Sequence, residues 1–178
     1  MSAVERTWWG WHELGSSTVA RLVAQAELRT GDLVIDAGAG SGAITAALLR
    51  EGARVVAVEL HPRRAALLRE RFAADRVTVA RVDLADLHLP RQPFRVVANP
   101  PFGVVTALLR RLVAQGSRLE CAVIVVPGYV AARWTSGAAP GVHRWGQRFT
   151  VRVAGTVPAR AFRPRPPRSA KILVIERR

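Results

Sequence analysis

The sequence has very little cysteine and no long hydrophobic segment. Cys121 is the only cysteine among 178 residues, which excludes a disulfide framework and a cysteine-based zinc site. Although 49% of the residues are hydrophobic, no run reaches the roughly 18 apolar residues that a membrane span needs. The N-terminus also lacks the basic and then apolar layout of a signal peptide. We therefore expect a cytoplasmic protein that makes no use of a membrane, with Cys121 as a small core residue.

Lysine is nearly absent, and acidic residues are scarce in the second half. Lys171 is the single lysine among 27 basic residues, so arginine carries almost all the positive charge. Residues 1–86 contain 11 basic and 11 acidic side chains, whereas residues 87–178 contain 16 basic and only two acidic ones. The net charge of +14 therefore belongs to the second half. Such an asymmetry is typical of a polyanion-binding surface and predicts nucleic-acid binding.

Short apolar strands alternate with amphipathic helices along most of the chain. The length suits one domain with one core. The alternation predicts an α/β fold: a Rossmann-like, mostly parallel, seven-stranded sheet with helices on both faces. The last two strands are joined by a loop alone, which favours an antiparallel edge pair. The predicted strands are 32–36, 54–58, 77–79, 94–98, 121–126, 148–157 and 170–175, and the predicted helices are 16–28, 43–50, 62–72, 103–112 and 129–134.

Two further segments have no clear hydrophobic period. Residues 1–15 contain three of the five tryptophans and are predicted to form an aromatic arm, which either packs on the fold or stacks on bases. Residues 135–146 are rich in glycine, alanine and serine, which predicts a mobile loop. Between these, Ser16 or Ser17 is expected to cap the first helix.

A glycine-rich loop follows the first predicted strand and precedes a helix. In Asp36-Ala37-Gly38-Ala39-Gly40-Ser41-Gly42 the glycines let the backbone turn sharply and approach a ligand. Asp36 repels a pyrophosphate but suits an ammonium group, and Glu59, ending the second strand, can accept hydrogen bonds from both hydroxyls of a ribose. Asp83 follows the third strand and can accept from an adenine amine. This set predicts an S-adenosylmethionine site; each acid alone is equally typical of a helix cap or a solvated loop, which is our interpretation of Asp86.

The fourth predicted strand ends at Asn99-Pro100-Pro101-Phe102. Because proline cannot donate to a sheet ladder, Asn99 emerges at the carboxyl edge, where open α/β folds bind ligands. The Asn99 oxygen and the Pro100 carbonyl can accept both hydrogens of a planar NH2 group, while the Phe102 ring stacks on the attached flat system. A proline-terminated strand with an asparagine turn is the alternative without function. The upstream glycine loop favours a catalytic role for Asn99, Pro100, Pro101 and Phe102.

These segments together resemble the rRNA adenine N6-methyltransferases that confer macrolide resistance, the Erm family. The resemblance covers residues 10–178 and rests on VIDAGAGSGAIT, VAVE, RVDLAD, NPPF and PARAFRPRPP. NPPF alone is also typical of enzymes that methylate DNA adenine or glutamine amides. The PxxxFxPxPP pattern at residues 158–167 narrows the resemblance to the rRNA adenine group.

The resemblance implies S-adenosylmethionine as cofactor and a flipped adenine held between Phe102 and Phe162. The implied function is N6-methylation of an adenine in large-subunit (23S) rRNA, which confers resistance to macrolide-type antibiotics. The cofactor contacts that the resemblance implies are His12, Leu14, Gly38, Glu59, Asp83 and Asn99. The glycine loop adds Asp36 and Gly40 to the predicted cofactor contacts.

Two features depart from the family pattern. Family members usually have Gln-Asn-Phe where this chain has Trp11-His12-Glu13, and they usually carry a small helical RNA-binding domain after the last strand. Here the last predicted strand is followed at once by Arg178. We therefore expect a monomer with an aromatic arm at 1–15, a single catalytic domain at 16–178 and no separate C-terminal RNA-binding domain. The arginines then expected to hold RNA phosphates are Arg110, Arg111, Arg148, Arg160, Arg163, Arg165 and Arg168.

Two other classes of function compete with this interpretation. The first is a DNA adenine or protein glutamine methyltransferase, although an enzyme acting on protein does not need a basic second half. The second is a non-catalytic RNA-binding or assembly protein on the same fold, which has no reason to keep every site residue. No metal is expected, because His61, His88 and His143 lack ligand-like spacing and are interpreted as surface residues.

Overall fold

The computed structural model describes residues 12–178, so Trp8, Trp9 and Trp11 of the predicted aromatic arm lie outside the described residues. No described helix has the length and apolar character needed to cross a membrane. The strands are β1 (Glu13–Leu14), β2 (Leu33–Ala37), β3 (Arg54–Val58), β4 (Val77–Ala80), β5 (Phe94–Ala98), β6 (Leu119–Pro127), β7 (Phe149–Val157), β8 (Phe162–Arg163) and β9 (Ala170–Arg177). The helices are α1 (Ser16–Ala24), α2 (Ala43–Arg50), α3 (Pro62–Arg71), α4 (Val105–Leu112), α5 (Gly128–Thr135) and α6 (Val142–Trp145), with 3-10 turns at Phe102–Val104 and Ala159–Ala161.

The main sheet has seven strands in the order β4-β3-β2-β5-β6-β9-β7. The strands from β4 to β6 are parallel; for example, Val34 of β2 pairs with Val55 of β3 and with Arg95 of β5. β9 lies between β6 and β7 and is antiparallel to both. The predicted α/β fold, with its mostly parallel sheet and antiparallel edge pair, is therefore confirmed.

The sheet is buried on both faces, which explains the continuous apolar runs of its strands. In β6, Ile124 faces a cluster that contains Leu108 of α4, while Cys121 faces the opposite cluster, which contains Leu22 of α1. Alternate side chains of one strand thus enter two separate cores. The interpretation of Cys121 as a core residue is confirmed, and burial raises the pKa of its thiol to about 11.

The first helix begins differently from the sequence-based expectation. Gly15 is the N-cap residue, and neither Ser16 nor Ser17 makes a capping hydrogen bond with its side chain. The Gly15 N–H donates to the Ala161 carbonyl at 3.1 Å, so a contact distant in sequence fixes where the helix starts. The helix ends at Ala24 instead of residue 28, and Glu27 then adopts a left-handed φ of 46°.

Residues 135–146 are not the featureless loop that their composition predicts. They include α6, and its Trp145 ring stacks on Trp134 with the centroids 5.0 Å apart. The Trp145 Nε1 donates to the Pro140 carbonyl at 3.1 Å, and both indole rings are buried. Small residues dominate this segment, but two large rings anchor it to the core, and composition alone does not show that pairing.

A two-stranded ribbon attaches the start of the described chain to the segment before β9. Glu13 of β1 pairs with Arg163 of β8, and Leu14 pairs with Phe162. Residues 12–14, predicted as part of the arm, are therefore hydrogen-bonded to the segment that contains β8 and Pro164. This ribbon carries His12 to the carboxyl edge of the parallel strands.

Candidate active site

The glycine loop and the Asn-Pro-Pro-Phe segment meet at the carboxyl edge of the sheet. Gly38 has a φ of 83°, a conformation that glycine adopts most readily. A Cβ atom at Gly38 would lie 3.3 Å from both the Pro100 Cα and the Pro101 Cδ. Only glycine lets the two segments pack this closely, so the sequence-predicted loop and catalytic segment form one site.

The side chain of Asn99 is held in a fixed orientation by the ribbon. Its Nδ2 donates to the backbone carbonyl of His12 at 2.6 Å. Since the amide nitrogen is engaged there, the side-chain oxygen remains the acceptor that the site can use. Asn99 is half-buried and lines a small cavity beside His12 and Gly38.

Three aromatic rings lie close to one another beside the Asn99 segment. The His12 ring lies 6.0 Å from the ring of Phe102 and 6.1 Å from that of Phe162, and the two phenylalanine rings are edge-to-face at 6.4 Å. The His12 Nδ1 lies 2.7 Å from the Pro164 carbonyl oxygen. His12 therefore connects the catalytic segment to the proline-rich segment that follows β8.

Phe102 and Phe162 differ sharply in exposure. Phe102 is half-buried, so part of its ring remains exposed. Phe162 is 0% exposed, because β8 turns its side chain into the core beneath α1. The predicted adenine sandwich is therefore corrected: in this structure Phe162 supports Phe102 and His12 from below and offers no free face.

A cavity of about 160 Å³ lies on the other side of Gly38. Glu59 at its wall is buried, and its Oε2 accepts a hydrogen bond from the Gly40 N–H at 2.9 Å. Its Oε1 accepts from the His61 N–H at 2.7 Å and from Arg64 Nη2 at 2.9 Å. The residues that line this cavity are Gly38, Val58, Glu59, Leu60, Arg64, Val82, Asp83, Leu84, Pro101 and Val104.

These hydrogen bonds limit how Glu59 and Gly40 can contact a cofactor. An ionised carboxylate has about four acceptor positions, and three donors already reach Glu59. Contact with both hydroxyls of a ribose therefore requires one of these bonds to be shared or exchanged. The Gly40 N–H is used to orient Glu59. Arg64 is a site residue that the sequence reasoning missed; its position in the first turn of the helix after Glu59 is the signal that points to it.

Asp83 reaches the same cavity from the segment after β4. Its Oδ1 accepts from the Ala85 N–H at 2.9 Å, which closes a tight turn. Arg111 of α4 reinforces this segment, because its guanidinium donates to the Leu87 carbonyl at 3.1 Å and to the Ala85 carbonyl. The predicted phosphate-binding role of Arg111 is therefore corrected: its guanidinium stabilises the loop that carries Asp83.

Asp36 lies buried beneath the glycine loop. It is 0% exposed, and its Oδ2 accepts from the Thr45 hydroxyl at 2.7 Å. Burial raises its pKa to about 7, although the Thr45 hydrogen bonds oppose the shift. Asp36 thus joins the end of β2 to the first turn of α2. Its Oδ1 is buried and has no hydrogen-bond partner in the described part of the chain, and contact of Asp36 with an ammonium group stays a prediction. Thr45, its partner, was not singled out from the sequence.

The predicted contact residue Leu14 lies in the smaller cavity, next to His12 and Asn99. It is buried by its pairing with β8, while the hydroxyl of Ser41 donates to the Glu13 carboxylate nearby. The glycine loop is therefore joined to the ribbon by a side-chain hydrogen bond as well as by packing. The residues lining this cavity are His12, Glu13, Leu14, Val19, Gly38, Ala39, Ser41, Ala43, Ile44 and Asn99.

The seven arginines predicted to bind RNA differ in their position and in their contacts. Those of the segment between β7 and β9 are exposed at the carboxyl edge, and in the described part of the chain none of them forms an ion pair; they are Arg160, Arg163, Arg165 and Arg168. Arg148 lies at the opposite edge and donates to the carbonyls of Val113 and Ala114, at 2.9 and 3.4 Å. The prediction that Arg148 contacts a phosphate is therefore corrected: its guanidinium caps the end of α4 by binding these carbonyls. Arg110 is exposed on the same helix.

The histidines were only partly interpreted correctly. His88 and His143 are exposed, but His61 is buried, because its backbone is drawn in by Glu59. Within residues 12–178, no group of three histidine, cysteine or acidic side chains is arranged to hold a metal ion.

Residues 13–178 match the ribosomal RNA adenine dimethylase family. The chain belongs to this family. The match includes the glycine loop, the Asn99 segment and the proline-rich segment, and so agrees with the geometry described above. It confirms the family that the sequence motifs resemble.

The similar proteins are named either as small-subunit rRNA methyltransferases or as antibiotic-resistance proteins and rRNA methyltransferases. The chain is 36% identical to ribosomal RNA small subunit methyltransferase A of Leifsonia xyli, covering 86% of this chain and 59% of that protein. It is also 36% identical to the mycinamicin-resistance protein MyrB of Micromonospora griseorubida, covering 95% of this chain and 56% of that one. The chain thus spans little more than half the length of these curated relatives.

A solved structure of the 23S rRNA methyltransferase ErmE superposes with a TM-score of 0.78 at 29% identity, covering 91% of this chain and 68% of that one. A dimethyladenosine transferase from Plasmodium falciparum superposes with a TM-score of 0.81 at 19% identity, covering 93% and 62%, and supports the fold alone.

The family implies S-adenosylmethionine as the methyl donor, and the residues present fit it. Gly38 leaves a cradle that a Cβ atom would fill, and a cavity with two acidic side chains lies next to it. Glu59 and Asp83 would hold the adenosine end, while His12, Leu14 and Gly38 would hold the end nearer Asn99. When bound, the donor supplies an electrophilic methyl group on a sulfonium sulfur.

Proposed function

We propose that this protein methylates the N6 atom of an adenine in 23S rRNA and thereby confers resistance to macrolide-type antibiotics. The observation that carries the proposal is the fixed Asn99 amide, whose nitrogen donates to the His12 carbonyl at 2.6 Å beside the glycine loop. The similarity to MyrB and to ErmE supports the large-subunit target and the resistance phenotype.

The adenine amine is a poor nucleophile because its lone pair is delocalised into the ring. The base must also leave its stack or pair before a side chain can reach N6. Phe102, half-buried at the rim, stacks on the extruded ring. Phe162 and the His12 ring hold Phe102 in place from behind.

Asn99 and Pro100 then activate the amine. The Asn99 side-chain oxygen and the Pro100 carbonyl accept its two hydrogens, which favours tetrahedral geometry and localises the lone pair on nitrogen. When the donor is bound, it would supply its methyl group to this lone pair and keep the electrons of the former C–S bond on its sulfur. The resulting cationic nitrogen is acidic and loses its proton to solvent, so a strong base is unnecessary. Catalysis rests on positioning and on fixed acceptors.

The RNA is held mainly at the carboxyl edge of the sheet. Four exposed arginines lie in the segment next to Phe162 and can contact phosphates by charge and by bidentate hydrogen bonds. We also propose that the protein acts as a monomer. A cytoplasmic location is likewise proposed, since the proposed substrate is ribosomal RNA.

Labelled S-adenosylmethionine tests the proposal directly. Protein-free 23S rRNA and 16S rRNA are incubated with the enzyme and labelled donor, and the modified base is mapped. Label in N6-methylated adenine at one position of 23S rRNA is the expected result, and the product also shows whether one or two methyl groups are added. Cofactor binding without label in either RNA would contradict the proposed acceptor.

Small-subunit rRNA is the second candidate substrate. The 36% identity to ribosomal RNA small subunit methyltransferase A favours it as strongly as the identity to MyrB favours 23S rRNA. Label confined to 16S rRNA would select this candidate and remove the resistance phenotype from the proposal. The same assay with a DNA duplex tests the DNA adenine alternative, and calorimetry with the donor tests the non-catalytic one.

A further inference from the structure

Helix α5 presents an unusual outer face. Tyr129, the only tyrosine of the chain, is 73% exposed, whereas Val130, Ala131 and Trp134 of the same helix are buried. Arg133 lies one helical turn after Tyr129 and is also exposed. Residues four apart share a helix face, so α5 presents an aromatic ring and a guanidinium side by side. The Arg133 Nε donates to the Ala138 carbonyl at 3.2 Å, and no described hydrogen bond uses the two terminal nitrogens of this guanidinium.

This face lies at the same edge of the sheet as Asn99. β5 and β6 are parallel, and Ala98 pairs with Ile124. β6 continues from Ile124 through Pro127, which at about 3.3 Å a residue extends it roughly 10 Å beyond the level of Ala98. Helix α5 begins at Gly128, directly after Pro127. Tyr129 therefore lies beyond the end of β6, at the same edge of the sheet as the catalytic segment.

The exposed arginines of the proline-rich segment reach the same place from the other side. Pro127 of β6 pairs with Ala170 of β9, and paired Cα atoms of antiparallel strands lie about 5 Å apart. Arg168 precedes Ala170 by two residues, and Tyr129 follows Pro127 by two. Both therefore leave the sheet at neighbouring points of its carboxyl edge, although they are distant in sequence.

The charge around this face favours an anionic partner. The sequence has no acidic residue between Glu120 and Glu176, so neither α5 nor the proline-rich segment carries a carboxylate. Leu67 of α3 is a useful contrast, because it is 62% exposed but lies three residues before Glu70. An exposed ring among uncompensated arginines is the arrangement with which proteins bind single-stranded nucleic acid.

We propose that the face of Tyr129 and Arg133 binds a nucleotide next to the target adenine in the RNA. The Tyr129 ring stacks on that nucleotide's base, and Arg133 together with Arg168 holds the adjoining phosphates. The inference rests on the proposed rRNA substrate and adds a subsite to it. Stacking outside the active-site pocket would stabilise the unstacked conformation from which the adenine is extruded.

Variants at one position test the stacking step. Tyr129→Ala is expected to raise the Kd and the KM for the RNA about ten-fold, since base–aromatic stacking contributes on this scale. Tyr129→Phe retains the ring and is expected to keep wild-type affinity. Leu67→Ala removes a different exposed apolar side chain, on α3, and is the matched control. The kcat and the Kd for S-adenosylmethionine should stay unchanged in all three.

The salt dependence of binding separates the two parts of the subsite. Tyr129→Ala should weaken RNA binding equally at low and high salt, because no phosphate contact is lost. Arg133→Ala should lower the slope of log affinity against log salt by about one. Unchanged RNA affinity in Tyr129→Ala, or an equal loss in Leu67→Ala, would overturn the proposal.

Failure of the inference can be distinguished from failure of the proposed function. If the wild-type enzyme labels rRNA but Tyr129→Ala is indistinguishable from it, the subsite is wrong and the function stands. If the wild-type protein labels neither rRNA but loses RNA affinity in Tyr129→Ala and not in Tyr129→Phe, the face binds RNA and the assigned reaction is wrong.

Discussion

Arginine serves different purposes at the two edges of the sheet. At the carboxyl edge, Arg163, Arg165 and Arg168 extend into solvent, and no described carboxylate pairs with them. At the opposite edge, Arg148 donates to the Val113 carbonyl at 2.9 Å and Arg177 donates to the Leu119 carbonyl at 2.7 Å. The arginines of the first group can therefore contact a polyanion, whereas those of the second group are hydrogen-bonded to backbone carbonyls of the fold. Net charge alone therefore overstates the surface available to RNA.

The reactive centre at the carboxyl edge gives the largest predicted effect. Asn99→Ala removes the acceptor that activates the amine, and loss of one fixed group of this kind costs about 10²–10³ in kcat. RNA affinity should change little, because the phosphate contacts remain. Single-turnover methyl transfer and RNA binding, measured on the same preparation, check this. Turnover near the wild-type rate would remove Asn99 from the mechanism.

The comparison between edges is tested by two matched triple variants. Replacing Arg163, Arg165 and Arg168 with alanine should weaken RNA binding by at least ten-fold and lower the salt slope by up to about three. A control triple of exposed arginines at the other end should change both quantities far less. It consists of Arg91, Arg118 and Arg144. A larger loss in the control triple would place the RNA at the opposite edge.

Arg111 should behave as a structural residue despite its charge. Arg111→Ala leaves the Leu87 and Ala85 carbonyls without their donor, which costs about 1 kcal/mol of stability and loosens the loop that carries Asp83. We expect a several-fold weaker Kd for S-adenosylmethionine and an unchanged salt slope for RNA. Calorimetry and thermal unfolding measure these. A lower salt slope with unchanged cofactor affinity would restore the phosphate-binding role.

The effect that depends on pH concerns the buried acid beneath the glycine loop. Burial raises the pKa of Asp36 from 3.8 to about 7, so the folded state keeps a proton that the unfolded state has released. The contribution of Asp36 to stability is therefore fully present below pH 4 and declines as the pH rises to 7, by at most about 1.4 kcal/mol per pH unit. In Asp36→Asn this decline should vanish, which urea unfolding across that pH range detects. An identical pH profile for both proteins would contradict the raised pKa.

Much of the fold could be read from local patterns. The apolar strands, the glycine loop and the prolines after Asn99 specify a parallel sheet with its ligand edge, because each signal acts within a few residues. The start of α1 and the order of residues 135–146 could not be read this way. Gly15 is fixed by Ala161, and Trp145 is fixed by Trp134 and Pro140. The contacts with Ala161 and Trp134 are distant in sequence and form only when the chain folds.

The sequence by itself determined which residue types meet at the carboxyl edge: a glycine loop, the acids Glu59 and Asp83, and the Asn99 segment. Tertiary structure decided what each of them faces. The β1–β8 ribbon brings the His12 carbonyl to Asn99 and turns Phe162 inward, while packing leaves Tyr129 outside. The physical reason is that hydrogen-bond partners and burial depend on contacts across the whole chain, whereas strand, helix and turn preferences are encoded within short segments.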